Sequence, residues 1–176
     1  YINYIDKYRA CIRPQGRDID GVCWLYGATG SGKTRTANEL LPDAYWLDDR
    51  QPLWWQGYGG QQDIIIDEFR GRGIDYADML RILSPYPYRC NIKGGSAPLR
   101  GTRFFITSHL HPHAYFNDQQ GDFTELDRRL SELGSVVECQ RAGDSFIYYR
   151  EQDHTTFHTR HELLDVARDA LRMNEP

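Results

Sequence analysis

Short apolar runs closed by polar residues set the frame of this chain. Val22-Cys23-Trp24-Leu25-Tyr26, Ile64-Ile65-Ile66 and Phe104-Phe105-Ile106 are each followed by polar or glycine positions. Unbroken runs of this length, rich in β-branched and aromatic residues, predict strands buried on both faces. Between them the spacing turns helical. Thr34 to Leu41 contains no Pro or Gly and ends before Pro42, while Tyr76, Met79, Leu80, Ile82 and Leu83 predict a helix from about Ile74 to Ser84, with Asp75 early in its first turn and Pro85 as its stop. Ala44 to Leu47 predicts a further short strand, and Leu126, Leu130 and Leu133 share one face of a helix between Asp122 and Leu133. Ser135-Val-Val-Glu-Cys-Gln and Ser145-Phe-Ile-Tyr-Tyr-Arg flank Arg-Ala-Gly-Asp as a hairpin, and Thr159-x-x-Glu162 is a capping box opening a last helix to about Met173. At the start, Ile5, Tyr8 and Ile12 line one face of a helix over 1–13, which fits an ordinary packing helix and an oligomer interface equally. Strands alternating with helices predict an α/β fold with a parallel sheet.

Gly27-Ala28-Thr29-Gly30-Ser31-Gly32-Lys33-Thr34 is a full match to G-x-x-x-x-G-K-[ST], placed between the first apolar run and the first helix. Glycines at 27, 30 and 32 let the backbone turn tightly and bring its N–H groups against phosphate oxygens. Lys33 is placed to reach the β- and γ-phosphates, and the Thr34 hydroxyl to ligate Mg²⁺. Strand, loop and helix N-terminus in that order bind a nucleotide phosphate. Asp67 and Glu68 close the Ile64–Ile66 strand, 34 positions after Lys33. Carboxylates at a strand's C-terminal end face the ligand crevice of an open α/β sheet. There Asp67 would hold Mg²⁺ and Glu68 would orient and deprotonate a water for attack on the γ-phosphate. No Asn-Lys-x-Asp occurs to recognise guanine.

The bulk numbers narrow the partners. A chain of 176 residues with 40% hydrophobic content suits one folded domain, and its opening on Tyr1 predicts a piece of something longer. Cysteines at 11, 23, 90 and 139 form no Cys-x-x-Cys pair, which argues against a zinc ribbon and for a reducing compartment. No apolar run reaches the length of a membrane span. A net charge of −4 gives no global sign of nucleic-acid binding, so any such binding needs a local patch. One exists: from Arg81 to Arg103 the chain carries Arg81, Arg89, Lys93, Arg100 and Arg103 and no acidic residue. Tyr88 to Lys93 predicts a strand, Gly94 to Pro98 a turn and Arg103 to Thr107 a second strand, with Lys93 at the tip as a phosphate contact. Trp54 and Trp55 either stack bases or pack the loop, the second being the simpler account. His109, His111 and His113 lack the Cys or carboxylate partners of a preorganised metal site. Arg128 and Arg129 are either a surface pair or the source of an arginine finger for a neighbouring subunit.

The motifs also follow one another in a familiar order. The phosphate loop, Trp-Trp-x-Gly-Tyr, Ile-Ile-Ile-Asp-Glu-Phe, Leu-Arg-Ile-Leu, Lys-Gly-Gly-Ser-Ala-Pro, Phe-Ile-Thr-Ser and Leu-Asp-Arg-Arg-Leu run from Gly21 to Cys139. This string resembles the superfamily 3 helicase domain of replication-initiator (Rep) proteins of small circular single-stranded DNA viruses, circoviruses especially. The resemblance implies an AAA+-like P-loop ATPase, with a parallel sheet flanked by helices and a DNA-binding β-hairpin insertion. It implies ATP and Mg²⁺ as cofactors, assembly into a homo-oligomeric ring, a hexamer in this family, and 3′-to-5′ movement on single-stranded DNA in rolling-circle replication in the host nucleus. Lys33, Glu68, His109 and Arg129 take the catalytic roles, Gly27 to Thr34 hold the nucleotide, Thr34 and Asp67 the metal, and Lys93 the DNA, with Arg100 and Arg103 of the basic run as further DNA contacts. His109 stands where the family usually has Asn. An imidazole still donates a hydrogen bond, but its protonation would change the charge there. The family's nickase domain is not in this chain, and an ATPase remodelling RNA or protein, or a nucleotide-gated binding module, stays open beside the DNA motor. The expected division is an N-terminal helical segment at 1–20, an ATPase domain at 21–150 and a helical extension at 151–176.

Overall fold

The first apolar run forms β1 (Gly21–Gly27), which lies between β6 (Arg103–Ser108) and β7 (Gly134–Ala142) and runs parallel to both. The computed structural model describes residues 16–116 and 123–173. On the outer side of β6 lie β3 (Asp63–Phe69) and the short β2 (Tyr45–Trp46), also parallel. On the other flank β8 (Ser145–Arg150) and β9 (Thr155–Phe157) add antiparallel strands, giving the order β2-β3-β6-β1-β7-β8-β9.

The strand sequences alternate between two cores, as a period of two requires. Val22, Trp24, Ile64, Ile66, Phe104 and Ile106 face one side, where α2 (Tyr76–Ile82) and α3 (Thr124–Leu133) supply Met79, Ile82, Leu126 and Leu130. Cys23, Leu25, Ile65 and Phe105 face the other, where α1 (Lys33–Leu40) and α4 (Arg160–Ala170) supply Ala37, Leu40, Leu163 and Ala167. Ile64, Ile65 and Ile66 are fully buried, each contributing roughly 2 kcal/mol of burial. The fold is therefore the expected α/β class, with helices on both faces of a mostly parallel sheet. Cys23, Cys90 and Cys139 are buried free thiols.

Three expectations change. Gly95–Pro98 is not a turn but a strand, β5, paired antiparallel with β4 (Arg89–Ile92) in a separate two-stranded sheet, so the hairpin's tip is Lys93-Gly94. Burial decides this: Cys90 and Ala97 face each other across the pair and join the core, overriding turn-like composition. Residues 151–176 are not a purely helical extension either, because β9 continues the main sheet and α4 packs into the second core. Arg103, expected on DNA, instead forks onto Asp63 at 2.6 and 3.1 Å. The two residues sit opposite each other where β6 and β3 begin, which is the end of the sheet away from the phosphate loop. The helix expected over 1–13 lies outside the described residues. The capping box at Thr159 and Glu162 is present as expected, and Asp75 caps α2 by accepting from the Asp78 N–H.

A buried carboxylate fixes the loop that leaves β3. Asp49 accepts the backbone N–H groups of Arg70, Arg72, Gly73 and Ile74 at 2.8, 3.1, 2.6 and 2.9 Å. Asp49→Ala strands these donors and is expected to cost about 3 kcal/mol, seen as a lower urea midpoint at unchanged slope. Asp49→Asn keeps one carbonyl acceptor and should lose less. An unshifted midpoint in Asp49→Ala would show that the loop holds itself.

Candidate nucleotide site

The phosphate loop leaves β1 by turning against β7. Gly27 takes φ +109, and a β-carbon there would press into the Cys139 carbonyl at 2.5 Å. The next residue donates its N–H to that same carbonyl at 2.7 Å. Ser31 closes the loop by donating its hydroxyl to the Ala28 carbonyl at 2.8 Å. Gly32 caps α1 with no side-chain bond, which leaves the first N–H groups of the helix open to an anion. Lys33 folds its ammonium over the loop, donating to the Gly27 and Ala28 carbonyls at 3.0 and 2.7 Å. Burial holds its pKa below the usual lysine value.

Asp67 joins this loop to the sheet. Its Oδ1 accepts the Thr34 hydroxyl at 2.8 Å and the Thr107 hydroxyl at 2.6 Å. Thr107, buried on β6, also accepts the Glu68 N–H at 2.8 Å. That bond supports an unusual backbone: Glu68 has φ +49, and the β3–β6 register breaks between Ile66 and Phe69. A left-handed non-glycine residue costs of order 1 kcal/mol. Here it lifts the Glu68 carboxylate into solvent, 3.3 Å from the Arg70 guanidinium. His109 ends the same wall. Its N–H and that of Leu110 both donate to the Tyr115 hydroxyl, at 3.1 and 2.9 Å. Trp24 fixes the strand end by donating to the Ser108 hydroxyl at 2.9 Å.

These groups enclose a cleft of about 310 Å³ lined by Gly30, Lys33, Thr34, Glu68, Thr107 and His109. The residues suit a magnesium nucleotide. Thr34 and Asp67 bring two hard oxygen donors together, the lysine is desolvated and the loop amides are open. Among the residues expected from sequence, Gly30, Gly32, Lys33, Thr34, Glu68 and His109 meet here with Thr29, and Asp67 reaches them through Thr34. Thr107, Arg70 and Asp49 received no role from the sequence. Thr107 alone left a signal, as a polar residue ending an apolar strand.

The expected arginine-finger and DNA-binding residues lie elsewhere. Arg129 is 16% exposed and bonded to Glu125 at 2.8 Å and to the Leu80 carbonyl, whereas Arg128 is half-exposed between Glu125 and Glu132. Hydrogen bonds from both arginines hold the Glu125 carboxyl at about 2. Lys93 is exposed at the hairpin tip, bordering a cleft of about 420 Å³ with Trp46, Trp54 and Arg50. Trp54 is 39% exposed, while Trp55 is buried and stacked on Tyr45 with ring centroids 5.8 Å apart. Arg100 is exposed, away from that tip, beside a second cleft that Arg17 and Asp20 also line. Among the described residues no cluster of His, Cys, Asp or Glu could hold a metal by itself. His111 instead bonds Glu151 at 3.3 Å and His113 bonds Asp127 at 2.6 Å. No helix among the described residues is long and apolar enough to cross a membrane.

The RNA helicase family model matches residues 23–108, the span that holds the phosphate loop, the strand-end carboxylates and every lining residue named above except His109. The chain is 35% identical over 129 residues to the replication-associated protein of Goose circovirus, covering 73% of this chain and 43% of that protein. It is 33% identical over 150 residues to that of Human associated cyclovirus 1, covering 78% and 52%, and 33% identical over 109 residues to that of Beak and feather disease virus, covering 62% and 36%. The chain thus spans about a third to a half of the length of these relatives. With the phosphate loop, the strand-end carboxylates and the sheet order in place, the chain belongs to the superfamily 3 helicase-like domains of the replication-associated protein type.

Proposed function

We propose that this domain is an ATP-hydrolysing motor that moves single-stranded DNA in the rolling-circle replication of a circular DNA virus, in the host nucleus. The observation that carries it is the meeting of Lys33, Thr34 and Glu68 in one cleft, with Asp67 tied to it by the Thr34–Asp67–Thr107 hydroxyl–carboxylate chain. Lys33 exchanges its loop carbonyls for β- and γ-phosphate oxygens, and Thr34 and Asp67 hold Mg²⁺. The ion, when bound, neutralises charge on the phosphate oxygens. Glu68 orients water and takes its proton, while His109 donates a hydrogen bond at the terminal phosphate.

Exposed Trp54 and Trp46 beside Lys93 and Arg50 offer aromatic faces and cations together, the combination that binds single strands without reading sequence. Assembly into a ring, a hexamer running 3′-to-5′ as the family resemblance implies, gives the arginines of α3 a task. They sit on the sheet face opposite α1, so Arg129, or the less encumbered Arg128, would serve a neighbouring subunit's nucleotide. The family matched is described as an RNA helicase, which keeps RNA as the competing substrate.

ATP turnover by the purified chain should rise several-fold with single-stranded DNA and far less with RNA; stimulation by RNA alone would replace the DNA motor with an RNA-directed one, and no turnover despite tight ATP binding would leave a nucleotide-gated module. Thr107→Val keeps the shape of the strand but frees Asp67 and the Glu68 N–H. It is expected to lower turnover about tenfold or more at near-parental ATP affinity, and wild-type turnover would remove Thr107 from the site. Lys93→Ala should spare DNA-free ATP hydrolysis, weaken DNA binding and flatten its salt dependence by about one phosphate contact. An unchanged salt slope would move the DNA path away from the hairpin.

A further inference from the structure

Arg160 lies directly beside the phosphate loop. Thr159 caps α4, so Arg160 is the first residue of that helix. Its Nη2 pairs with Glu39, in the last turn of α1, at 2.6 Å, with the Arg160 side chain 30% exposed. Its Nε is different, being buried with no acceptor. A guanidinium N–H in that condition is costly, and an oxygen brought to it would relieve the cost. The neighbour is Gly32, where a β-carbon would lie 3.7 Å from Nε and 3.9 Å from Cδ. Gly32 has φ +87, so glycine is favoured there, and its lack of a side chain lets the guanidinium lie close to the loop.

The orientation of a bound nucleotide follows from the proposed site. Asp67, Glu68, Thr107 and His109 come from β3 and β6, on one side of β1. They mark the terminal-phosphate end. A phosphate chain gripped by Lys33 and Thr34 with that end toward β3 and β6 extends its α-phosphate and nucleoside the opposite way, toward β7, β8 and α4. The wall on that side is continuous with the loop. Tyr148 of β8 donates its hydroxyl to the Ser31 carbonyl at 3.1 Å, and Phe146 lies 3.9 Å from where a Gly30 β-carbon would sit.

We infer that Arg160 is a nucleotide-binding residue acting within its own chain, its guanidinium taking an α-phosphate oxygen, with Glu39 as the partner that competes for it. The inference rests on the proposed nucleotide site and adds the group that holds the nucleoside end. It explains why an arginine paired at the surface keeps its Nε buried against a glycine. Glu39 gains a role as well. Its carboxyl is held low by the hydrogen bond from Arg160, and an incoming phosphate displaces it.

Calorimetric titration of the whole chain with Mg²⁺-ADP and with a non-hydrolysable Mg²⁺-ATP analogue tests this. Arg160→Ala, or Arg160→Gln should the alanine variant not fold, is expected to weaken both ligands about tenfold or more. Glu39→Gln should stay within twofold of the parent or bind more tightly, because it removes the competitor. Three results overturn the inference: unchanged affinity in the Arg160 variants, a loss confined to the triphosphate, or a Glu39→Gln loss as large as that of Arg160→Ala. The second would put Arg160 at the terminal phosphate, and the third would make the ion pair a structural tie. A parent chain that binds neither ligand would instead remove the nucleotide site itself.

Discussion

One carboxylate oxygen holds the site together. Asp67 Oδ1 receives hydroxyls from Thr34 on α1 and Thr107 on β6, so the phosphate loop, the strand beside β1 and the carboxylate strand share a single acceptor. This is possible because β6 lies between β1 and β3. Strands are about 4.8 Å apart, which sets the carboxylate strand roughly 10 Å from the loop strand, the interval that a terminal phosphate and a water would occupy in the proposed site. With β3 directly beside β1 the two carboxylates would crowd the loop. The left-handed backbone of Glu68 belongs to the same arrangement, since Thr107 accepts its N–H and stabilises a conformation that the strand alone would not keep.

What the sequence made legible was local. The phosphate loop is one continuous motif, the carboxylates follow their strand directly, and the three apolar runs became buried strands because each carries its own burial signal. Contacts made across long separations were not legible. Arg103 reads as a free cation until β3 and β6 come into register and place Asp63 opposite it, 40 positions away. Arg160 and Glu39 are 121 positions apart. Asp49 looks like part of a charged turn, and only the folded loop brings four N–H groups onto it. Gly95–Pro98 failed for a different reason. Its composition favours a turn, yet Ala97 is buried opposite Cys90, and tertiary packing won.

Neighbouring tryptophans show how far a residue type alone can lead. Trp55 is enclosed by Tyr45, Tyr58 and Tyr88 and its backbone N–H bonds the Asn91 carbonyl, tying this loop to β4. Trp54 stays outside, near Lys93. The pair is therefore split between core and surface, with one ring bracing the hairpin and the other open to solvent. In the proposed motor a braced tip would matter for Lys93, because force passes to the sheet only through a rigid connection.

The same division of labour extends to the two faces of the sheet. The nucleotide loop opens α1 on one face, and Arg128 and Arg129 ride α3 on the other. A short path nevertheless joins them. The segment after His109 is pinned through Tyr115, and His113 within it bonds Asp127 of α3, one residue before Arg128. His111 bonds Glu151, whose carboxyl burial alone would raise, but hydrogen bonds from His111 and Tyr26 outweigh that and hold it low. Tyr26 immediately precedes the phosphate loop, so this segment is held from β1, from α3 and from the turn after β8 at once. In the proposed ring, a shift of His109 on loss of the terminal phosphate would pull on α3. The arginines there would then report the state of one chain's nucleotide to the site of the next.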